Sequence, residues 1–444
     1  MKLAIRRALL AMSTTITGEG RVARRVGDVG KMIARMCRAK KIRLGIRAQL
    51  LASQTLGQIM PIAAIPFLTR MVDPGEMGHY QIALSIALVA LPFAIFQADV
   101  FVPVAHDADE VQTLLRRALL TTLIVGSVAT SVAFLLPSGG GAEAAITAFL
   151  LLAVMSLTSL TNAVLIRKND MSRLVHRNMV GGAFVAIMQT MFAMVHPTAI
   201  SLGLGMLIGR VLCQVLLRST RHYAPHSNRS EVPKDFWRVL TGAGASALGT
   251  FASQMPMLLV APVYGAAAAG YLGLGQRVVG APTGLIGQGV NQIIVADASA
   301  IIRSGQSKLW TGLRWQVLLL ISLSLAAAMA ITIIIPPLTP WIFGAPWAPA
   351  GKYMQILAVP MCLQLVAIPM VPLMAMLGMQ KAMLSLQIFR MVCIVGCIFL
   401  GSKLSLGMPL TVTLISAVWT MAYVATIGLA IEGMRKYDMQ ERRA

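Results

Sequence analysis

The chain has 444 residues, of which 57% are hydrophobic and 12% charged, and its mean hydropathy is +0.74. An ordinary soluble domain has about 25% charged residues, so this composition excludes a soluble globular protein and indicates an integral membrane protein. The net charge of +22 would suggest nucleic acid as a partner of a soluble protein, but these basic residues stand in short segments between apolar runs. Nucleic acid is therefore not expected as a partner.

Twelve apolar segments are long enough to cross a bilayer core, which takes about 20 residues of helix. The sequence therefore predicts an all-α polytopic membrane protein with about twelve transmembrane helices. The segments are 46–68, 80–104, 115–136, 144–165, 174–195, 198–217, 238–262, 270–300, 313–335, 351–377, 381–401 and 407–431.

The distribution of lysine and arginine predicts the orientation, because basic residues are enriched in cytoplasmic connections. The span bounds hold to within a few residues, so a basic residue near the end of a span is counted with the adjoining connection. Of the 38 such residues, 32 then belong to the two termini and the even-numbered connections. Three belong to the odd-numbered connections, namely Arg70, Lys352 and Lys403, and three, Arg210, Arg277 and Arg390, lie well inside predicted spans. Both termini are therefore predicted to be cytoplasmic.

Residues 1–45 form a basic amino-terminal arm. Apolar residues spaced along one helical face, from Val22 to Met36, predict an amphipathic helix that lies on anionic lipid headgroups. A disordered basic leader, or a start codon assigned too early, are the alternatives.

A polar connection between the sixth and seventh spans divides the chain six plus six. The two halves repeat a Met-Pro pair in their first helices, Met60-Pro61 and Met255-Pro256, as transporters with internal repeats do. The predicted organisation is an N-lobe at 46–217, a linker at 218–237, a C-lobe at 238–432 and a basic cytoplasmic tail at 433–444.

Three segments together resemble a known family. They are residues 65–87, which contain Arg70, Pro74, Gly78 and Tyr80, and residues 263–290 and 340–360. In this order and spacing they are similar to the Wzx-type O-antigen flippases of polysaccharide biosynthesis, within the multidrug/oligosaccharidyl-lipid/polysaccharide (MOP) superfamily. The resemblance covers about residues 46–432.

This resemblance implies a fold, a substrate and a location. The fold is a MATE-like bundle of two six-helix lobes around a cavity that opens alternately to each side. The substrate is a polyprenyl-diphosphate-linked oligosaccharide, carried to the outer leaflet of a bacterial inner membrane for O-antigen, capsule or exopolysaccharide. Partners would be a polysaccharide polymerase and export machinery, besides anionic lipids of the bilayer.

Arg277 is the first candidate for substrate binding, because a charged residue inside a span is costly and usually faces a cavity or a partner. A guanidinium group can bind phosphate oxygens through two hydrogen bonds, which suits a diphosphate. The alternative is a structural pair with a carboxylate or with helix carbonyls.

Three further arginines are weaker candidates for the same role. Arg70 ends the first span on the outer side and would receive the diphosphate after reorientation, or would instead pair with Asp73 or Glu76. Arg210 and Arg390 lie near the cytoplasmic ends of their spans, where extension of the side chain to the membrane surface competes with a substrate role.

Asp99 is the carboxylate predicted to lie well inside a span, and the internal repeat pairs it with Asn291. It is the candidate ion-coupling residue. A counter-ion for an arginine, or a helix that ends before residue 99, would explain it as well.

Uncharged polar residues in the spans are candidates for binding sugar hydroxyls. Gln54 and Gln58 lie one turn apart on the first helix and are the leading pair, although such residues more often bond neighbouring helices. Trp341, Phe343 and Trp347 in an outer connection are expected to anchor at the membrane interface.

No enzymatic constellation is recognised. The five cysteines have no metal-ligand spacing, and no phosphate-binding glycine-rich loop with a lysine occurs, so neither metal, cofactor nor catalytic residues are predicted. Besides a flippase, the open alternatives are a cation-coupled multidrug exporter, which would need cavity carboxylates, a membrane polymerase or ligase, and a structural subunit.

Overall fold

The computed structural model describes residues 56–103, 108–136, 141–168, 170–217, 236–304 and 308–441, together with Ser53 and Ala105. The described residues from Ser53 onward form one compact unit. The predicted amino-terminal arm, the predicted linker up to residue 235 and Gln54 lie outside the described residues.

The described part of the chain is helical, and no strand occurs in it. Residues 56–63 are helical and lead into the first numbered helix. The helices are α1 (Ile65–Met71), α2 (Pro74–Ile95), α3 (Ala98–Phe101), α4 (Ala108–Leu135), α5 (Gly141–Arg167), α6 (Met171–Val195), α7 (Ala199–Leu216), α8 (Phe236–Tyr264), α9 (Ala266–Gly275), α10 (Ala281–Arg303), α11 (Leu309–Phe343), α12 (Ala348–Met376), α13 (Gln380–Lys403) and α14 (Met408–Glu441).

Ten helical segments of the described chain are long and apolar enough to cross a membrane, so the protein is a multi-pass membrane protein. They correspond to ten of the twelve predicted spans. The seventh predicted span is the helix α8, and the first is described only from residue 56 onward, apart from Ser53. The total of twelve and the sidedness of the termini stay predictions.

The second predicted span, 80–104, is wrong at both ends. Helix α2 begins at Pro74, where the fixed backbone angle of proline suits a first turn, and ends at Ile95. Phe96 and Gln97 then adopt left-handed backbone angles, with φ of 48° and 55°, which interrupts the helix. Such angles are costly for residues other than glycine, by roughly 1–2 kcal/mol each.

Two other boundaries also differ from the prediction. The span predicted at 270–300 begins at Ala266 and contains a π-helical turn, Gln276–Gly280, between α9 and α10. Helix α14 continues to Glu441, so most of the predicted tail is helical.

We call α1–α7 the N-half and α8–α14 the C-half. In the N-half, α2 packs against α4 and α5, and α6 packs against α7. Glycines bring α6 and α7 close together: a methyl group at Gly205 would lie 2.5 Å from the Cα of Gln189. In the C-half, α12 is the most enclosed helix and packs against α10, α11 and α14.

The two ends of the bundle differ in charge. The end where α5 and α10 finish and α6 and α11 begin carries Arg167, Arg173, Arg303 and Lys308. We call it the basic end. We call the other end of the bundle the opposite end. Among the described residues, α1 finishes and α2 begins there.

The two halves meet closely at the opposite end. A methyl group on Gly78 of α2 would lie 1.8 Å from the carbonyl oxygen of Ala266, and one on Gly270 of α9 would lie 2.0 Å from that of Pro74. Only glycine permits such an approach of two backbones. We call this contact of α2 with α9 the glycine seal.

Candidate functional site

Arg277 occupies the π-helical turn that joins α9 to α10. The backbone N–H of Ala281 donates to the carbonyl of Gln276, which is the wider spacing typical of a π turn. Such turns occur mostly as single insertions in α-helices and often at functional sites. The turn lies about 16 Å along the helix from Ala266, which is about half of a bilayer core.

The guanidinium of Arg277 crosses to the N-half. Its Cζ atom lies 4.8 Å from the ring centroid of Tyr80 on α2, a cation–π geometry. The Tyr80 hydroxyl accepts a hydrogen bond from Nε2 of Gln189 at 3.1 Å, and that nitrogen also contacts the carbonyl of Leu202 at 3.1 Å. Gln189 therefore holds the Tyr80 ring in place against the guanidinium of Arg277.

Arg277 has no carboxylate partner within 4 Å among the residues that the structure describes. The structural pair with an acid, left open by the sequence, is thus absent from the described residues. A guanidinium group that keeps its hydrogen-bond donors available can bind an anion.

Toward the basic end from Arg277, helix α8 keeps the halves in contact, because it packs against α2 and the Ser85 hydroxyl lies 3.1 Å from Oε1 of Gln254. Helix α10 packs against α11 and α12 of its own half. A methyl group on Gly284 or on Gly249 would meet nothing within 4 Å, and Gln288 and Gln292 are exposed. These positions on α8 and α10 are therefore not covered by other described residues.

A second set of contacts joins the halves beside the glycine seal. Nε1 of Trp347 donates to the carbonyl of Thr69 at 2.7 Å, and the Trp347 side chain is fully buried. Tyr271 packs edge-on against Trp347, with ring centroids 5.9 Å apart. The expectation that Trp347 anchors at the membrane interface is therefore wrong, whereas Trp341 is 84% exposed, as an anchor would be.

The other predicted arginines are not gathered around Arg277. Nη2 of Arg70 donates to the carbonyl of Trp341 at 3.2 Å, which places it at the opposite end. Arg210 lies within the N-half, where its guanidinium packs against Gly181. Arg390 lines a cavity of about 420 Å³ within the C-half, together with Gln364.

The predicted polar residues are not gathered around Arg277 either. Gln58 is exposed on the helix that precedes α1. The side-chain oxygen of Asn291 is buried and has no hydrogen-bond partner among the described residues. Gln189 is one of the uncharged polar residues that the sequence offers for sugar hydroxyls, and Tyr80 belongs to the segment that resembles the family. Their contact with each other and that of Tyr80 with Arg277 are not predictable from the sequence, because they join residues far apart in the chain.

Asp99 lies outside the span Pro74–Ile95, in the first turn of the short helix α3. Desolvation raises the pKa of its carboxyl above the ordinary value, and hydrogen bonds from the backbone at Asp99 and Val100 oppose that shift. This position agrees with the alternative that the helix ends before residue 99. Asn291, by contrast, lies within the long helix α10, so the two residues that the internal repeat pairs are in different structural settings.

One group of side chains in the described residues has the spacing of metal ligands. The ligand atoms of Glu76, His79 and Glu143 lie within 4.8 Å of one another at the opposite end. Glu76 already accepts a hydrogen bond from the backbone N–H of Ala199 at 2.8 Å and lies 3.7 Å from Nδ1 of His79. These contacts account for Glu76 without an ion.

Solved structures share this fold. A lipid II flippase, MurJ, in an inward closed conformation aligns with a TM-score of 0.63 and 15% identity, covering 90% of this chain and 91% of that one. An inward-facing MATE multidrug resistance transporter of the MOP superfamily aligns with a TM-score of 0.57 and 15% identity, covering 86% and 96%. At such identity the likeness establishes the fold alone.

Comparison of the sequence with known families identifies the family of this chain. No curated protein sequence matches the chain. A family profile described as "Polysaccharide biosynthesis protein" matches residues 67–352, which is more than half of the chain and agrees with the resemblance seen in the sequence. The chain therefore belongs to the family of polysaccharide biosynthesis proteins.

Proposed function

We propose that the protein is a flippase that moves a polyprenyl-diphosphate-linked oligosaccharide from the cytoplasmic to the outer leaflet of a bacterial inner membrane. The observation that supports this most is the position of Arg277. Its guanidinium lies between the two halves, beside the glycine seal, with no described carboxylate within 4 Å. It has the charge and the hydrogen-bonding geometry that a diphosphate requires.

In this proposal the basic end is cytoplasmic and the structure is an inward-open state. The diphosphate enters from the basic end and binds Arg277, while the glycan lies beside exposed amides of α10, Gln288 and Gln292. The polyprenyl chain stays in the lipid. Separation of the halves at the glycine seal, with closure at the basic end, then exposes the diphosphate to the outer side, where Arg70 is placed to receive it.

No covalent step is needed for this movement. The family and the structural neighbours are named for biosynthesis, transport and flipping. We assign no catalytic residue and no cofactor, and we place Asp99 as the ion-coupling residue of a driven cycle. Polymerase and export machinery would consume the flipped product.

A cation-coupled multidrug exporter is the second candidate, because MATE transporters share the fold. Cationic drugs need carboxylates between the halves. The group identified between the halves is instead a guanidinium, which would repel such substrates.

The test is Arg277→Ala, with Arg277→Lys as the charge-retaining variant. We expect Arg277→Ala to lower transport of the lipid-linked glycan by at least about tenfold at normal protein level, because charge-assisted hydrogen bonds contribute about 1.5–3 kcal/mol. Arg277→Lys should keep part of the activity. Arg314→Ala is the matched control, since Arg314 is exposed near the basic end of α11.

The three functions predict different results for Arg277→Ala. A flippase loses transport, a drug exporter tolerates the change, and a structural subunit shows only an assembly defect. Full transport by Arg277→Ala at normal protein level would contradict the proposed diphosphate site.

A further inference from the structure

A second cavity lies inside the N-half, apart from the space between the halves. Its volume is about 460 Å³, and it is formed by α5, α6 and α7 near the basic end. Most of its lining is aliphatic, and the polar lining residues include Lys168, Arg177 and Gln214. All residues that line it belong to the N-half.

Arg177 is the unusual member of this lining. It lies in the second turn of α6, near the basic end, and is only 3% exposed. Both of its terminal nitrogens, Nη1 and Nη2, are buried and have no hydrogen-bond partner among the described residues. A buried guanidinium is strongly stabilised by an anion, and these two nitrogens are free to donate to one.

The nearest acid along the chain does not neutralise Arg177 directly. Asp170, which precedes α6, pairs with Nε of Arg173 at 3.3 Å. Within the described residues no carboxylate lies within 4 Å of the Arg177 guanidinium. Nε2 of Gln214 is a further buried donor without a described partner, while the oxygen of this amide contacts the Thr161 hydroxyl at 3.3 Å.

The unpartnered groups in this cavity are therefore all hydrogen-bond donors. Their complement is a chemical group that accepts hydrogen bonds and carries negative charge. Two terminal guanidinium nitrogens match two oxygens of a phosphate group. A phosphate is thus the chemistry that this cavity fits.

The opening of the cavity indicates the source of the phosphate. Val215, which lines the cavity, is 68% exposed, and its neighbour Leu216 is 65% exposed. In a membrane-spanning helix such an apolar surface faces lipid chains. A phospholipid headgroup reaches this depth at the end of a helix, and basic pockets between transmembrane helices bind anionic headgroups.

We propose that this cavity binds the phosphate group of an anionic phospholipid, with Arg177 as its main ligand and the aliphatic lining against the glycerol and upper acyl chains. The lipid belongs to the leaflet at the basic end. The bound lipid would stabilise the packing of α5 against α6 and α7. This lipid site is separate from the site proposed for the transported diphosphate.

The test measures lipid retained by the purified protein in detergent, using native mass spectrometry with added phosphatidylglycerol or diacylglycerol, which lacks a phosphate group. We expect wild-type protein to bind phosphatidylglycerol about tenfold more tightly than diacylglycerol, and Arg177→Gln to lose that preference. Arg314→Gln, which removes an exposed charge, should retain it. An unchanged preference in folded Arg177→Gln protein would overturn the proposal.

Two measurements on the wild-type protein cover the case in which Arg177→Gln does not fold. Phosphatidylglycerol with a photoreactive acyl chain should label peptides of α5–α7 more strongly than peptides of α11 and α13, and equal labelling would contradict the site. Millimolar inorganic phosphate should leave the bound lipid in place. Displacement of the lipid by inorganic phosphate would assign the cavity to a free anion and overturn the lipid source.

Discussion

Single side chains hold the two halves together at the opposite end. The Trp347 indole donates to the Thr69 carbonyl across the boundary between the halves. We expect Trp347→Phe to destabilise the protein by about 1–3 kcal/mol, because it leaves a buried carbonyl without its donor. The measurement is the thermal midpoint of aggregation of the purified protein in detergent.

The matched control for that substitution is Trp341→Phe. Trp341 is 84% exposed, so its replacement should leave the thermal midpoint unchanged. Equal midpoints for Trp347→Phe and Trp341→Phe would show that the indole hydrogen bond does not hold the halves together.

Asp99 predicts a pH dependence of transport. Because burial raises the pKa of its carboxyl, the group takes up a proton at a higher pH than an exposed aspartate does. If Asp99 couples transport to protons, the transport rate of the wild type should change as the pH falls through the raised pKa of Asp99. The transport rate of Asp99→Asn should not change there. Asp109→Asn, at an exposed position, is the control, and retained pH dependence in Asp99→Asn would remove Asp99 from the coupling role.

Residue roles were only partly predictable from the sequence. The arginine inside a span was recognised, because charge in an apolar segment is visible in one dimension. The burial of Trp347 was missed, since it depends on Thr69, which is 278 positions away. The burial of Arg177 is likewise not predictable, because a basic residue near the end of a span normally extends to the membrane surface.

At the scale of helices, the glycine seal controls which end of the bundle is closed. We expect Gly78→Ala to disfavour this closed state, because the added methyl group would lie 1.8 Å from a backbone oxygen. Gly75→Ala on the same helix is the control, since a methyl group there meets nothing within 4 Å. The readout is labelling of Ser85→Cys by an impermeant maleimide added outside, in a background without native cysteines.

Ser85 suits this measurement because it is buried on α2, where its hydroxyl contacts Gln254 of the C-half at 3.1 Å. Labelling from the outside should rise in Gly78→Ala and stay low in Gly75→Ala. Equal labelling of the two variants would mean that the glycine seal does not set the closed state.

Helix positions were largely readable from hydropathy, but their interruptions were not. The ten described spans match predicted segments because a run of about 20 apolar residues has few alternatives in a membrane protein. The left-handed pair Phe96 and Gln97 and the π turn that holds Arg277 were not predicted. Both depend on tertiary packing that compensates a locally costly backbone, and no residue type marks them.

At the scale of the molecule, the contacts between the halves are closest at the opposite end. The glycine seal and Trp347 close the opposite end, and Arg277 lies next to that closure. A substrate group bound at Arg277 would thus reach the other side of the membrane once the seal opened. This arrangement is what alternating access requires.

The most direct test of the flippase proposal is the leaflet in which the lipid-linked oligosaccharide accumulates in cells that lack this protein. An impermeant glycosidase or lectin reports that leaflet in spheroplasts, and cells complemented with wild type are the control. The proposal predicts accumulation in the cytoplasmic leaflet, with loss of surface polymer. Accumulation in the outer leaflet would place the defect after the flipping step, and no accumulation would favour drug export, so either result would contradict the proposal.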